Sequence, residues 1–317
     1  MLNQLNRRAK KICDSVGQSL ERLDVRTSTF SNGATVLDFA TDRIGTFAAG
    51  IELARICMSD LAEISIAQPM ENYPWPRLQI VTDHPVAACI ASQYAGWPFS
   101  TESYFSMCSG PIRLARGKEE ILQQYELSTD EKTIVAIFEA SNLPSESDVE
   151  ELAKKCGRDP ADATVCVAKT SSLPGSMQVV ARSVETAMHK MFEIGFDLSR
   201  VQRAIGLAPI PPLGNDDYRS MGWTNDSMLY GAEVQLWVSN PDDIYSLADQ
   251  LPSSTSKDFG RPFAEIFEEY DRDFYKVDRK LFSPAKVTIN CLESGKTATA
   301  GELRYDLLTS SFEWKQA

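Results

Sequence analysis

Reactive side chains are few in this 317-residue chain, and their types limit the chemistry before any fold is considered. Only two histidines occur, His84 and His189, so a His-rich metal site is excluded and a Ser-His-Asp triad would have to recruit one of them. The seven cysteines stand at 13, 57, 89, 108, 156, 166 and 291, an odd number with no Cys-x-x-Cys pair, mostly in apolar surroundings such as Val165-Cys166-Val167. They read as buried free thiols in a reducing, cytoplasmic setting. What remains is a set of polar groups at ordered positions. Between Pro174 and Gly195, Gln178, Arg182, Glu185, His189 and Glu193 recur at helical spacing, opposite Val180, Val184, Ala187, Met188 and Met191. The pattern fits either a solvated face carrying an Arg/Glu pair at i, i+3 or the wall of a site.

Three other places put polar groups where a ligand could meet them. Asp83 and His84 join a strand to a helix and so lie beside a helix N-terminus. Ser109-Gly110-Pro111 interrupts an apolar run, which favours a loop with exposed backbone N–H groups suited to an anion. Thr224, Asn225 and Asp226 stand at the mouth of one or two strands expected between Met221 and Val238.

The elements that must position these residues follow from periodicity. Pro174 and Gly175 break the preceding segment, Ser176 can cap, and Gly195 is a natural stop, so one helix is expected from Met177 to Ile194. Residues 1–23 read as a helix, and Leu23–Thr29 with Ala34–Ala40 as a hairpin around Asn32-Gly33. A helix over 44–58 and strands over 62–67 and 78–82 come next, then a helix from Pro85 to Gly96. Strand Thr133–Glu139, helix Glu146–Cys156 and strand Ala163–Lys169 repeat that rhythm and suggest a duplicated α/β unit. Leu198–Gly206, Asp242–Leu251 and Pro262–Tyr270 are helical in pattern, and Ala285–Phe312 alternates like two or three strands.

A chain of this length outgrows one core, so two packed mixed α/β domains with an interdomain cleft are expected. The boundary is placed between 1–122 and 123–317, with the strands in 280–317 as candidates to return to the first domain. No apolar run approaches the roughly 18 to 20 residues of a membrane span, and the N-terminus lacks the apolar core of a secretory signal. The net charge of -12 repels phosphate backbones, which makes nucleic acid an unsuitable partner.

Four blocks in fixed order, Thr82–Trp97, Ser109–Arg113, Gly175–Glu185 and Gly222–Gly231, resemble the methenyltetrahydromethanopterin cyclohydrolase family, whose length also agrees. The resemblance implies a two-domain α/β homo-oligomer, typically a trimer, that takes a pterin substrate and carries neither metal nor prosthetic group. One departure stands out: the family pattern is Gly-Arg-Thr-Asn-Asp, and this chain has Trp223 in place of the arginine. If that arginine contacts the anionic side of the substrate, tail preference is altered here.

The implied reaction opens a cationic methenyl bridge with water. It needs a positioned, partly deprotonated water and a proton for the departing nitrogen, the work of one tuned carboxylate. The resemblance assigns that carboxylate to Glu185 and its neighbour to Arg182, which would hold Glu185 ionised against the opposing effect of burial. His189 could orient Glu185 or be a satisfied structural histidine. Asp83, His84, Ser109, Gly110, Thr224, Asn225 and Asp226 are the candidate substrate contacts. The competing readings are a non-catalytic pterin-binding or assembly protein, and an unrelated two-carboxylate hydrolase pairing Glu139 with Glu185.

Overall fold

The computed structural model describes residues 2–69, 73–94 and 96–313. Contacts divide the chain into two compact units, Met1–Ala62 with Ala87–Gln178, and Glu63–Val86 with Val179–Ala317. The chain therefore passes from one unit to the other three times. The expected boundary at 122/123 falls inside the first unit, because strand pairing rather than chain continuity sets the division.

Twelve strands occur among the described residues: β1 (Arg26–Thr29), β2 (Thr35–Ala40), β3 (Glu63–Ala67), β4 (Arg77–Thr82), β5 (Trp97–Ser100), β6 (Phe105–Ser109), β7 (Ile134–Glu139), β8 (Ala163–Ala168), β9 (Val201–Pro209), β10 (Glu233–Val238), β11 (Lys286–Cys291) and β12 (Thr297–Gly301). The first unit holds a mixed sheet in the order β1-β2-β8-β7-β6-β5, with β2, β8 and β7 parallel at its centre. These three read as nearly unbroken apolar runs because both of their faces are covered. Along β7, Ile134, Ala136 and Phe138 enter one core with Val149, Leu152 and Ala153 of the helix Glu146–Lys155. Val135 and Ile137 enter the other, under the helices Leu5–Gly17 and Phe47–Cys57. Ser145 caps the helix Glu146–Lys155 in a reciprocal box with Asp148. The hairpin β1–β2 closes at Gly33, whose φ of 89° is the reason for a glycine there. β7 and β8 complete the sheet begun by β1 and β2, whereas β3 and β4, the strands whose rhythm they repeat, belong to the other sheet.

The second unit holds the order β12-β11-β10-β9-β4-β3, antiparallel except for β10 beside β11. Strands β4, β10 and β11 alternate between buried and more accessible residues, as a sheet with one fully covered face should. The C-terminal strands thus pair with β10 and do not return to the first sheet. An aromatic core of Trp75, Tyr230, Phe263, Phe267 and Phe312 joins the helices Asp217–Gly231, Phe263–Glu269 and Tyr305–Ser311. Both units are α/β, as the periodicity requires.

Several element readings change. The segment expected as a helix over Leu198–Gly206 makes one 3-10 turn, Leu198–Arg200, and from Val201 is strand β9, in register with β4 on one side and β10 on the other. The expected strands over Met221–Val238 are a helix to Gly231 followed by β10. The tail ends in a helix, Tyr305–Ser311, after two strands. Finally, Val86–Gln93 winds as a π-helix, whose last seven residues are all buried.

Candidate active site

The expected single helix over Met177–Ile194 is two. The first runs Leu173–Val180 and starts earlier than expected: the Ser172 hydroxyl, not that of Ser176, accepts the Gly175 N–H at 3.1 Å. Pro174 is tolerated because it lies in the first turn. Gly175 is needed because a Cβ there would stand 1.9 Å from the Lys169 carbonyl oxygen. At Ala181-Arg182 the ladder breaks; the Arg182 N–H donates to Val179 O three residues back, and the second helix runs Ser183–Glu193. It ends at Gly195 with φ of 80°, where Phe196 N–H returns to Met191 O, the stop that the sequence signals.

This break changes what the Arg/Glu spacing means. Arg182 is the residue before the second helix and Glu185 its third, so Glu185 sits in the first turn. A carboxylate there stands at the positive end of the helix dipole. Arg182 is 8% and Glu185 5% exposed, so the polar stripe is not solvated along this half. Further along it is: His189, half-buried, pairs with Glu193 at 3.5 Å, and Glu193 also meets Arg279. On the covered side, Val184, Ala187, Met188 and Met191 are buried as expected. Gly206 of β9 lets the helix approach closely, since a Cβ would lie 2.3 Å from Ser183 Oγ.

The other expected site residues each have partners within their own unit. Asp83 and His84 are exposed after β4; Asp83 pairs with Arg203 of β9 at 2.5 Å, and the His84 N–H donates to Thr82 Oγ1. Ser109 and Gly110 belong to the first unit. Ser109 Oγ lies 3.7 Å from Cys57 Sγ, and Gly110 turns with φ of 89° against Ile137. The loop is then braced by buried Arg113, which binds Glu119 and the carbonyls of Tyr94 and Cys108. Thr224, Asn225 and Asp226 do not lie at a strand mouth but inside the helix Asp217–Gly231. Thr224 Oγ1 and Asn225 Nδ2 both donate to Met221 O. Asp226 accepts the Phe263 N–H at 2.8 Å and the Ser311 hydroxyl at 2.5 Å, and burial pushes its carboxyl up to about 7. Trp223 donates its indole N–H to Ser311 O and packs edge-on to Phe312, with the Arg219 guanidinium over its ring.

Two arrangements escaped the sequence reading. Lys190 is buried with its ammonium on Thr255 Oγ1 and Lys280 O, and burial draws its pKa down to about 8. Glu139, at the end of β7, accepts from Thr170 and Gln178. Neither shows in sequence, because each joins segments 31 to 90 residues apart.

The sequence matches the family described as cyclohydrolase (MCH) over residues 4–312, nearly the whole chain. This chain belongs to the methenyltetrahydromethanopterin cyclohydrolase family. Curated members bearing that name include the protein of Rhodopirellula baltica, 47% identical over 287 residues that make up 88% of this chain and 86% of that one. The Methanococcoides burtonii cyclohydrolase is 40% identical over 97% of this chain and 98% of its own. That of Methylobacillus flagellatus is 38% identical over 89% and 86%. The cyclohydrolase family thus spans both units, and its match is not confined to the turn at Arg182 and Glu185.

Proposed function

We propose that this chain hydrolyses the methenyl bridge of 5,10-methenyltetrahydromethanopterin to 5-formyltetrahydromethanopterin, with Glu185 as the base that activates water and Arg182 as its neighbour. The observation that carries the reading is a buried carboxylate in the first turn of a helix, three residues after a buried arginine. In the first step Glu185 takes a proton from water as the oxygen bonds to the electrophilic bridge carbon. The resulting hydroxyl-bearing carbon sheds N10, which receives the proton back from Glu185. The hydroxyl proton leaves as the formyl C=O forms, so a cation and water give a neutral formamide and one released proton. The positive helix end and the Arg182 guanidinium both favour the negative charge on which the first transfer depends.

Among the earlier candidate contacts, Asp83, His84 and Ser109 keep a place in this proposal as substrate contacts. Gly110, Thr224, Asn225 and Asp226 have duties within their own units that explain them without a ligand. The pterin is substrate, and no cofactor is invoked. The reading also includes a homotrimer in the cytoplasm, in keeping with seven free cysteines; among the described residues no helix is long and apolar enough to cross a membrane.

The test follows the loss of methenyl absorbance with purified protein. Wild type should exceed the spontaneous rate, Glu185→Gln should lose about 10²- to 10⁴-fold in kcat with KM little changed, and Arg182→Ala should fall as well. A wild type that binds pterin without turnover would favour the non-catalytic reading, and full activity in Glu185→Gln would remove the assigned base.

A further inference from the structure

The sheet of the second unit is fully covered on one face only. Val234, Leu236, Val287 and Ile289 are buried and share a face with Gly206, against which the helix Ser183–Glu193 packs. Residues between them along the same strands point the other way. On that second face Val81, Ile205, Gln235 and Thr288 form one row across β4, β9, β10 and β11, and Gln79, Leu207 and Glu233 form the next. None of these side chains is fully buried. The neighbours Val81, Ile205 and Leu207 make the middle of this face apolar, where a solvated antiparallel face carries polar residues. Its charges are answered inside the unit: Arg77 and Lys286 both pair with Glu233, at 3.1 and 3.8 Å, and Arg203 at the far end pairs with Asp83. The flank toward β12 is neutral. Thr288 and Thr299 share a hydrogen bond at 2.9 Å, and the Thr297 hydroxyl donates to Asn290.

We infer that this face, centred on Ile205, is where one copy of the chain docks on another. Charge selects the occupant. The net charge of -12 makes copies repel over the surface at large, whereas here Arg77, Arg203 and Lys286 offset Glu63, Glu233 and Asp83. Two copies therefore approach with least repulsion at this face, and a strongly charged partner finds no uncompensated charge to hold. Threonine hydroxyls and Gln or Asn amides both donate and accept, so a surface built of them is complementary to a second surface of the same kind. The inference rests on the proposed homotrimer and gives it a contact surface. Because the turn carrying Glu185 lies over Gly206 on the opposite face, docking leaves the proposed chemistry within each chain.

The experiment measures mass by light scattering over a dilution series of the full-length protein, with circular dichroism to confirm folding. Wild type should be assembled. Ile205→Lys, which places a charge at the centre of the contact, should raise the concentration needed for half-assembly by about a hundredfold or more, toward the 35.2 kDa of one chain. The double variant Gln235→Glu with Thr299→Glu alters two exposed side chains of the same face and should do likewise; it decides the matter if Ile205→Lys does not fold. Phe105→Lys, at an exposed apolar residue of the first unit, should keep the wild-type mass. A folded face variant that assembles as wild type does overturns the inference, as does loss of assembly in Phe105→Lys alone. A wild type that is monomeric throughout brings down both the trimer and this face. Hydrolysis is read on the same samples, so an assembled wild type without turnover would bring down the cyclohydrolase reading while the masses still decide the contact.

Discussion

Glu185 and Asp226 are both buried carboxylates of the second unit, and their surroundings assign them different work. Asp226 gives one oxygen to the first N–H of the helix Phe263–Glu269 and the other to Ser311 of the terminal helix, so it ties three helices together. Its carboxyl titrates at about 7 because burial outweighs those two bonds. A folded-state pKa above the unfolded value means that the native protein holds this proton more tightly. The group's contribution to stability is therefore full below about pH 4 and is lost as pH rises through about 7. Asp226→Asn keeps an oxygen for the Phe263 N–H and has no charge to bury. In urea unfolding, the stability of this variant relative to wild type should climb between about pH 4 and 7, by an amount on the order of a few kcal/mol, and then level off. A flat difference across that window would show that Asp226 is not protonated as the burial requires.

At the scale of elements, the first turn of the helix Ser183–Glu193 is set by what lies beneath it. Ser183 is fully buried, its hydroxyl has no hydrogen-bond partner among the described residues, and it rests over Gly206 of β9. A methyl group at position 206 would drive into Ser183 Oγ and press on Val184. Gly206→Ala should therefore cost about 1–3 kcal/mol and reduce kcat, because the displaced turn is the one that carries Glu185. Adding Ser183→Ala removes the nearest clashing atom and should recover part of both losses. If Gly206→Ala lowers stability but leaves kcat untouched, the turn does not need this packing to hold its carboxylate. The glycine appears in sequence as an unremarkable member of Ala-Ile-Gly-Leu-Ala, and only the approach of the helix explains it.

For the whole molecule, the order of strands controls what can be separated. A cut at 122/123 would strip β7 and β8 from between β2 and β6, leaving two hairpins with open edges and exposed apolar faces. Fragments 1–122 and 123–317 should each fail to fold alone, as read by circular dichroism and gel filtration; a stable, soluble 1–122 fragment would contradict the sheet. The proposed trimer predicts a light-scattering mass about three times the 35.2 kDa of one chain. A monomer at assay concentration would remove that part of the proposal.

What the sequence determined by itself was local or compositional. Asn32-Gly33 set a hairpin, Gly195 a helix stop, and the apolar runs of β7 and β8 two central strands, because turn geometry and continuous hydrophobicity act over a few residues. The ordered motifs also carried the family and, through it, the chemistry expected of Arg182 and Glu185. Tertiary structure decided the rest. Val201–Pro209 is a strand because β4 and β10 pair with it from both sides, and Asp226 sits inside a helix where Phe263 and Ser311 satisfy its carboxyl. The break at Ala181-Arg182 has no glycine or proline to announce it. Such choices depend on partners distant in sequence, whose pairing and burial outweigh the modest local preferences of the residues themselves.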